Sequence, residues 1–341
     1  MMDQTPTISE ESIYNIYIQG RASAALAVAV HLNIFDILAA QEQSAQALSK
    51  RLGLQQRGIV AILRSLSAVG LLHFETASQK YSCSESSKIY LCKDQPTYIG
   101  ALIDMEVEHF LTPQHILTSL QNDKPSVYEE KDVWENHQID LEQARRFTAA
   151  MHSISTRPAM ALAEQDFWSS VKCVLDVGAG SGVLSIALLQ KHMQLHAILM
   201  DIPSVCSIAE EYIVRYGVSE RVQFLPLDMF HSSYPKGCDA ILFSQILHDW
   251  NFEQGKILLQ KSYDALDVGG KVIIHEKLTD PENNHQPVEN ALVNLDMLIW
   301  TQGQQYSFYD LQHMLEDIGF VHIQQKRTHT YWSYIIGEKP S

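Results

Sequence analysis

Acidic side chains and one histidine recur at turning points along the second half of this chain. Asp176 opens the run Asp176-Val177-Gly178-Ala179-Gly180-Ser181-Gly182, and Asp201 stands before Ile202-Pro203. Asp228 precedes Met229-Phe230, His248 and Asp249 precede Trp250, and Glu276 closes the apolar run 271–276. Each type has a chemistry that suits it. Glycines at 178, 180 and 182 let a ligand approach a backbone turn and the start of a helix. Asp201, 25 residues beyond Asp176, is placed to accept from ribose hydroxyls. Asp228 is suited to accept from an adenine amino group while the Met229 thioether packs on the ring. His248 is a candidate general base, and Glu276 a group to orient its imidazole. Plainer uses exist: Asp201 as a helix cap, His248 as a structural histidine. Their recurrence in series favours a site. A nicotinamide-binding fingerprint would need a third glycine where Val183 stands, which weakens that reading.

The elements that must position these residues follow from periodicity. Apolar runs at 172–177, 196–201, 222–228, 239–244 and 271–276 read as strands, and 183–192, 205–216 and 253–266 as the helices between them. This rhythm predicts βαβ crossovers and a parallel sheet with helices on both faces. In such sheets ligands bind beyond the C-terminal strand ends, which is where the polar series falls. A Pro- and Asn-rich loop (280–287), helices at 288–301 and 307–318, and an antiparallel pair at 320–325 and 331–336 complete this part. Upstream, 98–165 reads as helical apart from a polar loop at 121–125. There Phe147 and Met151, four residues apart, share a helix face.

Residues 13–40 read as one helix, apolar on most sides and therefore buried. A short helix over 44–54 stops at Gly53, and 55–69 forms a second with Ile59, Ile62, Leu63, Leu66 and Val69 on one face. With strands at 70–74 and 80–82 this is a helix-turn-helix with a wing. Such a unit either reads DNA or serves as a helical dimer module. Charge favours the second: residues 1–100 carry eight Lys/Arg against eight Asp/Glu, and the whole chain carries −15. A chain of 341 residues predicts two domains, and 46% hydrophobic with 19% charged residues predicts a soluble globular protein. The polar start predicts no secretory leader, and the longest apolar stretch, 22–32, is too short to span a bilayer. Five scattered cysteines without a C-x-x-C pair point to a reduced, cytoplasmic setting. Fifteen histidines form no H-E-x-x-H pair, so no metal is expected.

In this order, D-V-G-A-G-S-G, M-D-I-P, D-M-F, L-H-D-W and Glu276 resemble S-adenosylmethionine-dependent methyltransferases. The subgroup is similar to the caffeate and acetylserotonin O-methyltransferases and their bacterial small-molecule relatives, over nearly the whole chain. The resemblance implies an α/β fold with a Rossmann-like, seven-stranded catalytic domain over 166–341. It further implies an α-rich winged-helix dimerisation domain over 1–100 and a helical linker over 101–165 that contributes to the substrate pocket. It implies S-adenosylmethionine as cofactor, S-adenosylhomocysteine as product, a homodimer, and a small, aromatic specialised metabolite as acceptor, with hydroxyl oxygen favoured. Neither nucleic acid nor membrane is an implied partner.

By the same resemblance, Asp176, Gly178, Gly180 and Gly182 cradle the methionine part of the cofactor. Asp201 and Ile202 hold the ribose, and Asp228, Met229 and Phe230 the adenine; Ser244 occupies a cofactor-side position that is basic in the family. Phe147, Met151, Trp250, Asp296, Trp300 and Gln305 line the acceptor pocket. His248 takes the acceptor's proton during in-line attack on the sulfonium methyl, with Glu276 and Asp249 beside it. Two departures stand out. Gln305, in Gly303-Gln304-Gln305-Tyr306-Ser307, replaces the second acid that usually flanks the histidine, and Ser244 replaces the basic residue. They leave the acceptor atom open among oxygen, carbon and nitrogen. They also admit a use of the cofactor without methyl transfer, such as hydroxylation or a pericyclic step. A winged-helix regulator is the reading from another class.

Overall fold

In the computed structural model, which describes residues 10–109, 111–127, 133–280, 282 and 286–341, the first helix is α1 (Glu10–His31). Asn33 follows at φ 55, so the single helix expected over 13–40 is in fact two, α1 and α2 (Ile34–Ala40). Asparagine enters the left-handed region more readily than most residues, a break that apolar content alone does not signal. In α3 (Ala45–Leu52) the Ser44 hydroxyl accepts from the Ala47 N–H, and Gly53 at φ 68 ends the helix. α4 (Gln56–Ala68) buries Ile59, Leu63 and Leu66 with Leu48 and Phe35. β1 (Leu72–Glu75) pairs antiparallel with β2 (Lys80–Cys83), giving the expected wing. α5 (Glu85–Tyr90) and α6 (Gly100–His109) complete this unit. α6 packs along α1, and the compact unit so formed spans Met1–Phe110. Among the described residues, no single helix is long and apolar enough to cross a membrane.

The second unit, Leu111–Ser341, begins with α7 (Pro113–Asn122), α8 (Val133–Ile139) and α9 (Leu141–Ala163). Strands and helices then alternate: β3 (Cys173–Val177), α10 (Val183–Lys191), β4 (His196–Asp201), α11 (Pro203–Arg215), β5 (Val222–Pro226), β6 (Ala240–Ser244), α12 (Phe252–Ala265) and β7 (Lys271–Glu276). α13 (Val288–Trp300), α14 (Phe308–Ile318), β8 (Val321–Arg327) and β9 (Ser333–Glu338) close the chain. The sheet has seven strands in the order β5-β4-β3-β6-β7-β9-β8; β3 to β7 are parallel, and β9 runs antiparallel to both its neighbours. The chain moves outward from β3 to β5, then crosses back to β6, so the β3–β6 edge is the switch point where such sheets bind ligands.

One face of the sheet packs Leu184, Leu188, Leu199 and Ile213 with α9, and the other packs Phe243 of β6 with Leu258 of α12 and Leu311 and Leu315 of α14. Burial on both faces is why the central strands read as unbroken apolar runs. Two boundaries differ from expectation. β5 ends at Pro226, leaving Asp228 in the following turn, and the closing pair lies at 321–327 and 333–338. Most of the loop expected over 280–287 lies outside the described residues.

Candidate active site

After β3 the chain passes through Gly178, Gly180 and Gly182 at φ 67, 56 and 74, and Gly182 caps α10. Their surroundings differ. A Cβ on Gly178 would overlap the Ile246 side chain, and one on Gly182 would lie 2.7 Å from Leu199, but beside Gly180 nothing lies within 4 Å. Packing accounts for the first and third glycines, while the second presents bare backbone to open space, as a bound ligand requires. The Gly180 N–H donates to Asp201 Oδ2 and the Ile202 N–H to Oδ1, each at 2.8 Å. Each oxygen keeps a lone pair, so the pair suits two vicinal hydroxyls. Burial raises the Asp201 pKa to about 6 against those two bonds. Between the glycines, Ser181 Oγ lies 2.8 Å from His152 Nδ1, tying α9 to the turn. Sequence reasoning gave no sign of that tie.

Three expected cofactor residues also make hydrogen bonds within the scaffold. Asp176, buried in the core, accepts from Ser185 Oγ at 2.7 Å, so it fixes α10 to β3 and shapes the turn from behind. Asp228 folds back on its own turn: Oδ1 accepts from the Phe230 N–H at 2.7 Å and Oδ2 lies 2.9 Å from His231 Nδ1. Partial burial pulls its pKa up, but the His231 ring and the backbone donors overcome this and the net shift is downward. Ser244 is opposite His275 in the β6–β7 register, and its hydroxyl bonds the His275 ring and carbonyl at 3.2 and 3.3 Å. It ties two strands together. Met229 and Phe230 are half-buried against the core, with Phe230 edge-on to Trp250 at 4.6 Å.

β6 leads through Gln245 to a 3-10 turn, Leu247–Asp249, that buries His248. Glu276, at the end of β7, reaches across: Oε1 accepts from the Ile246 and Leu247 N–H groups at 3.1 Å each. Its Oε2 has no hydrogen-bond partner and stands 3.4 Å from His248 Nδ1. Gln305 Nε2 lies 2.8 Å from the same Nδ1, its Oε1 is unpaired, and its backbone N–H donates to Asn294 Oδ1 at 2.8 Å. An amide N–H donated to Nδ1 leaves the ring proton on Nε2. Half a turn of the amide offers Oε1 to an Nδ1–H and frees Nε2 to accept a proton. Asp249 Oδ1 is 3.7 Å from Nε2. Burial, then the Lys277 charge, lowers the His248 pKa to about 3. Burial raises Glu276 to about 8 and Asp249 well above the usual carboxylate range, with Glu276 adding to the latter. The imidazole is therefore neutral at ordinary pH, beside a carboxyl group ready to ionise against it.

Aromatic rings continue from this turn. Trp250 lies 6.2 Å from Trp134 of α8, and Phe147 of α9 lies 6.0 Å from Trp134, 4.8 Å from His137 and 6.5 Å from Trp300 of α13. The i, i+4 pattern brought Phe147 and Met151 forward, whereas Trp134 and His137 carried no signal beyond their types. Met151 and Asp296 are half-buried; burial raises the Asp296 pKa to about 6, with Lys277 pulling it back. Gly303 also belongs here. A methyl group on it would overlap the His248 carbonyl oxygen and lie 2.6 Å from the Asp249 carbonyl carbon. Gly303→Ala is expected to displace the His248 turn, lowering kcat about 10²-fold and stability by about 1–3 kcal/mol. Single-turnover rates with a thermal melt check both, and a wild-type rate would mean that the Gly303 loop yields instead.

Known proteins resemble this chain in sequence and in fold. The profile of an O-methyltransferase domain matches residues 116–321, and that of an O-methyltransferase dimerisation domain matches residues 16–93. A 3-hydroxy-5-methyl-1-naphthoate 3-O-methyltransferase of Streptomyces sahachiroi is 31% identical, over 89% of this chain and 87% of its own. An N,N-dimethyltransferase of Streptomyces rimosus is 26% identical over 92% of each chain. The crystal structure of human N-acetylserotonin methyltransferase in complex with S-adenosylmethionine superposes with a TM-score of 0.89 over 100% of both chains, at 20% identity.

Proposed function

This chain belongs to the O-methyltransferase family and is an S-adenosylmethionine-dependent methyltransferase, and we propose that it methylates a hydroxyl of a small aromatic metabolite with His248 as the base. The observation that carries this reading is the buried, neutral His248 imidazole, with Glu276 and Gln305 on one ring nitrogen and an aromatic wall beside it. When bound, the cofactor supplies an electrophilic methyl group on a sulfonium sulfur. The turn at Gly178, Gly180 and Gly182 receives its amino-acid end, and Asp201, fixed by two backbone donors, holds the ribose hydroxyls. Met229 and Phe230 give the adenine an apolar face, with Asp228 at its rim.

Glu276 Oε2 or Gln305 Oε1 accepts the Nδ1–H, which holds the tautomer whose Nε2 takes the acceptor's proton. That proton then rests on the imidazole beside Glu276, and the oxygen becomes the nucleophile. Phe147, Trp134, Trp250 and Trp300 orient a flat ring, with Met151 and Asp249 at its edge. Positioning and exclusion of water carry most of the rate, because the attack disperses charge.

The naphthoate named for the S. sahachiroi relative supports a fused aromatic acceptor here. Transfer to nitrogen is the second reading, favoured by the S. rimosus N,N-dimethyltransferase. The helices over 111–165 form the acceptor wall in this reading, and 166–341 the cofactor-binding part. Ile13, Tyr14, Ile16 and Tyr17 are exposed on α1, in and next to the segment matched to a dimerisation domain, which supports a homodimer through the N-terminal unit. Five free cysteines support a reducing, cytoplasmic location, and the −15 charge a small-molecule partner over nucleic acid. The test is incubation with trideuteromethyl-labelled cofactor and a panel of hydroxy- and aminonaphthalenes, with products read by NMR. Label on oxygen is expected. Label on nitrogen would transfer the assignment to the second reading, and no labelled product from any member would overturn both.

A further inference from the structure

Lys277 directly follows β7 and is the only lysine or arginine buried among the described residues, at 8% exposure. Its ammonium stands 5.2 Å from the centre of the Trp332 ring. Among the described residues no carboxylate oxygen comes within 4.0 Å of it, and it has no hydrogen-bond acceptor. Asp296 and Glu276 act on it only from a distance, and it in turn depresses the His248 pKa. Burial lowers the Lys277 pKa, and an anion that arrives with a ligand would stabilise its charged form.

The position is held firmly. Asn290 Nδ2 of α13 donates to the Leu278 carbonyl at 2.7 Å and to the Tyr331 carbonyl at 3.0 Å, and the Thr279 N–H donates to the Tyr306 carbonyl at 3.0 Å. Sheet order then fixes what Lys277 can serve. The glycine turn follows β3, His248 follows β6 and Lys277 follows β7, and these strands are consecutive neighbours. His248 thus stands between the cofactor turn and the ammonium, so Lys277 lies on the acceptor's side of the base.

We propose that Lys277 anchors a carboxylate of the methyl acceptor, so that the acceptor class is hydroxyaryl carboxylic acids: ring against the aromatic wall, hydroxyl at His248, carboxylate at Lys277. This rests on the cofactor and base assignments above. Asp296 competes for the same ammonium, which separates the anchor from a structural Lys277–Asp296 pair.

The experiment is calorimetric binding to protein saturated with S-adenosylhomocysteine. The probes are hydroxynaphthoates with the carboxylate ortho or meta to the hydroxyl, and the matching carboxamides. The acids are expected to bind about 10- to 100-fold more tightly than the amides. Lys277→Met should abolish that preference, Lys277→Arg should keep most of it, and Asp296→Asn should strengthen it. Affinity for S-adenosylhomocysteine, measured in every variant, reports that each has folded. Equal binding of acid and amide by the wild type, a preference that survives Lys277→Met, or a preference weakened by Asp296→Asn overturns the anchor and leaves methyl transfer standing. Failure of the wild type to bind S-adenosylhomocysteine would instead overturn the cofactor assignment beneath it.

Discussion

Replacing His248 with alanine is expected to lower kcat about 10²- to 10⁴-fold, the usual contribution of a positioned general base, with cofactor affinity nearly unchanged. The imidazole is kept neutral by burial and by the Lys277 charge, with a pKa of about 3, so its ring is unprotonated and holds a free acceptor nitrogen throughout the ordinary pH range. The low value also means that an imidazolium is poorly tolerated unless something answers its charge. Glu276 is placed to do so: Oε2 has no hydrogen-bond partner, lies 3.4 Å from Nδ1, and belongs to a carboxyl group whose pKa burial has raised to about 8. Gln305 contributes orientation without charge. None of these groups lies in the glycine turn or on Asp201, which is why the loss should fall on turnover. Stopped-flow or single-turnover rates, paired with cofactor titration, separate the two quantities.

Asp201→Ala is expected to weaken cofactor binding about 10²-fold. It removes the acceptors for two ribose hydroxyls, and hydrogen bonds to a charged group are worth about 1.5–3 kcal/mol each. It also strands the Gly180 and Ile202 N–H groups that Asp201 now holds at 2.8 Å, loosening the turn that presents Gly180. Asp201→Asn keeps a carbonyl acceptor and should lose less. Because burial raises the Asp201 pKa to about 6, the acceptor-only carboxylate is present above that pH and lost below it. Cofactor affinity should therefore fall as pH drops through about 6. Calorimetric titration of S-adenosylhomocysteine at several pH values reads both effects, and an affinity indifferent to Asp201→Ala would remove the ribose assignment.

Much of the catalytic unit was legible because its physics is periodic. Strands buried on both faces leave apolar runs, and the polar residues that interrupt them fall at the sheet edge where ligands bind. That logic singles out the glycine turn, Asp201, His248 and Glu276 as candidates. It does not foretell which of these residues also make hydrogen bonds within the scaffold. Asp176 goes to Ser185, Ser244 to His275 and Asp228 to His231, and each choice depends on register or on a turn's local hydrogen bonds. Lys277 lies one residue beyond the strand-end series, which stops at Glu276. In sequence a lysine after a strand reads as solvated, whereas tertiary structure buries it with its ammonium near the Trp332 ring. Trp134 and His137 meet Phe147 through tertiary packing of α8 on α9, which leaves no periodic mark. The break at Asn33 is a single residue's backbone choice inside an otherwise helical pattern.

The central claim, that His248 removes the acceptor's proton, is tested most directly by acceptors of graded acidity. Wild type and His248→Gln are assayed with a series of aromatic hydroxyls whose pKa values run from well above the assay pH to well below it. If His248 is the base, the variant's deficit is large for the weakly acidic hydroxyls and shrinks towards none for those already ionised, because they no longer need a proton taken away. A deficit of the same size across the whole series would contradict the claim and leave His248 as a structural part of the pocket.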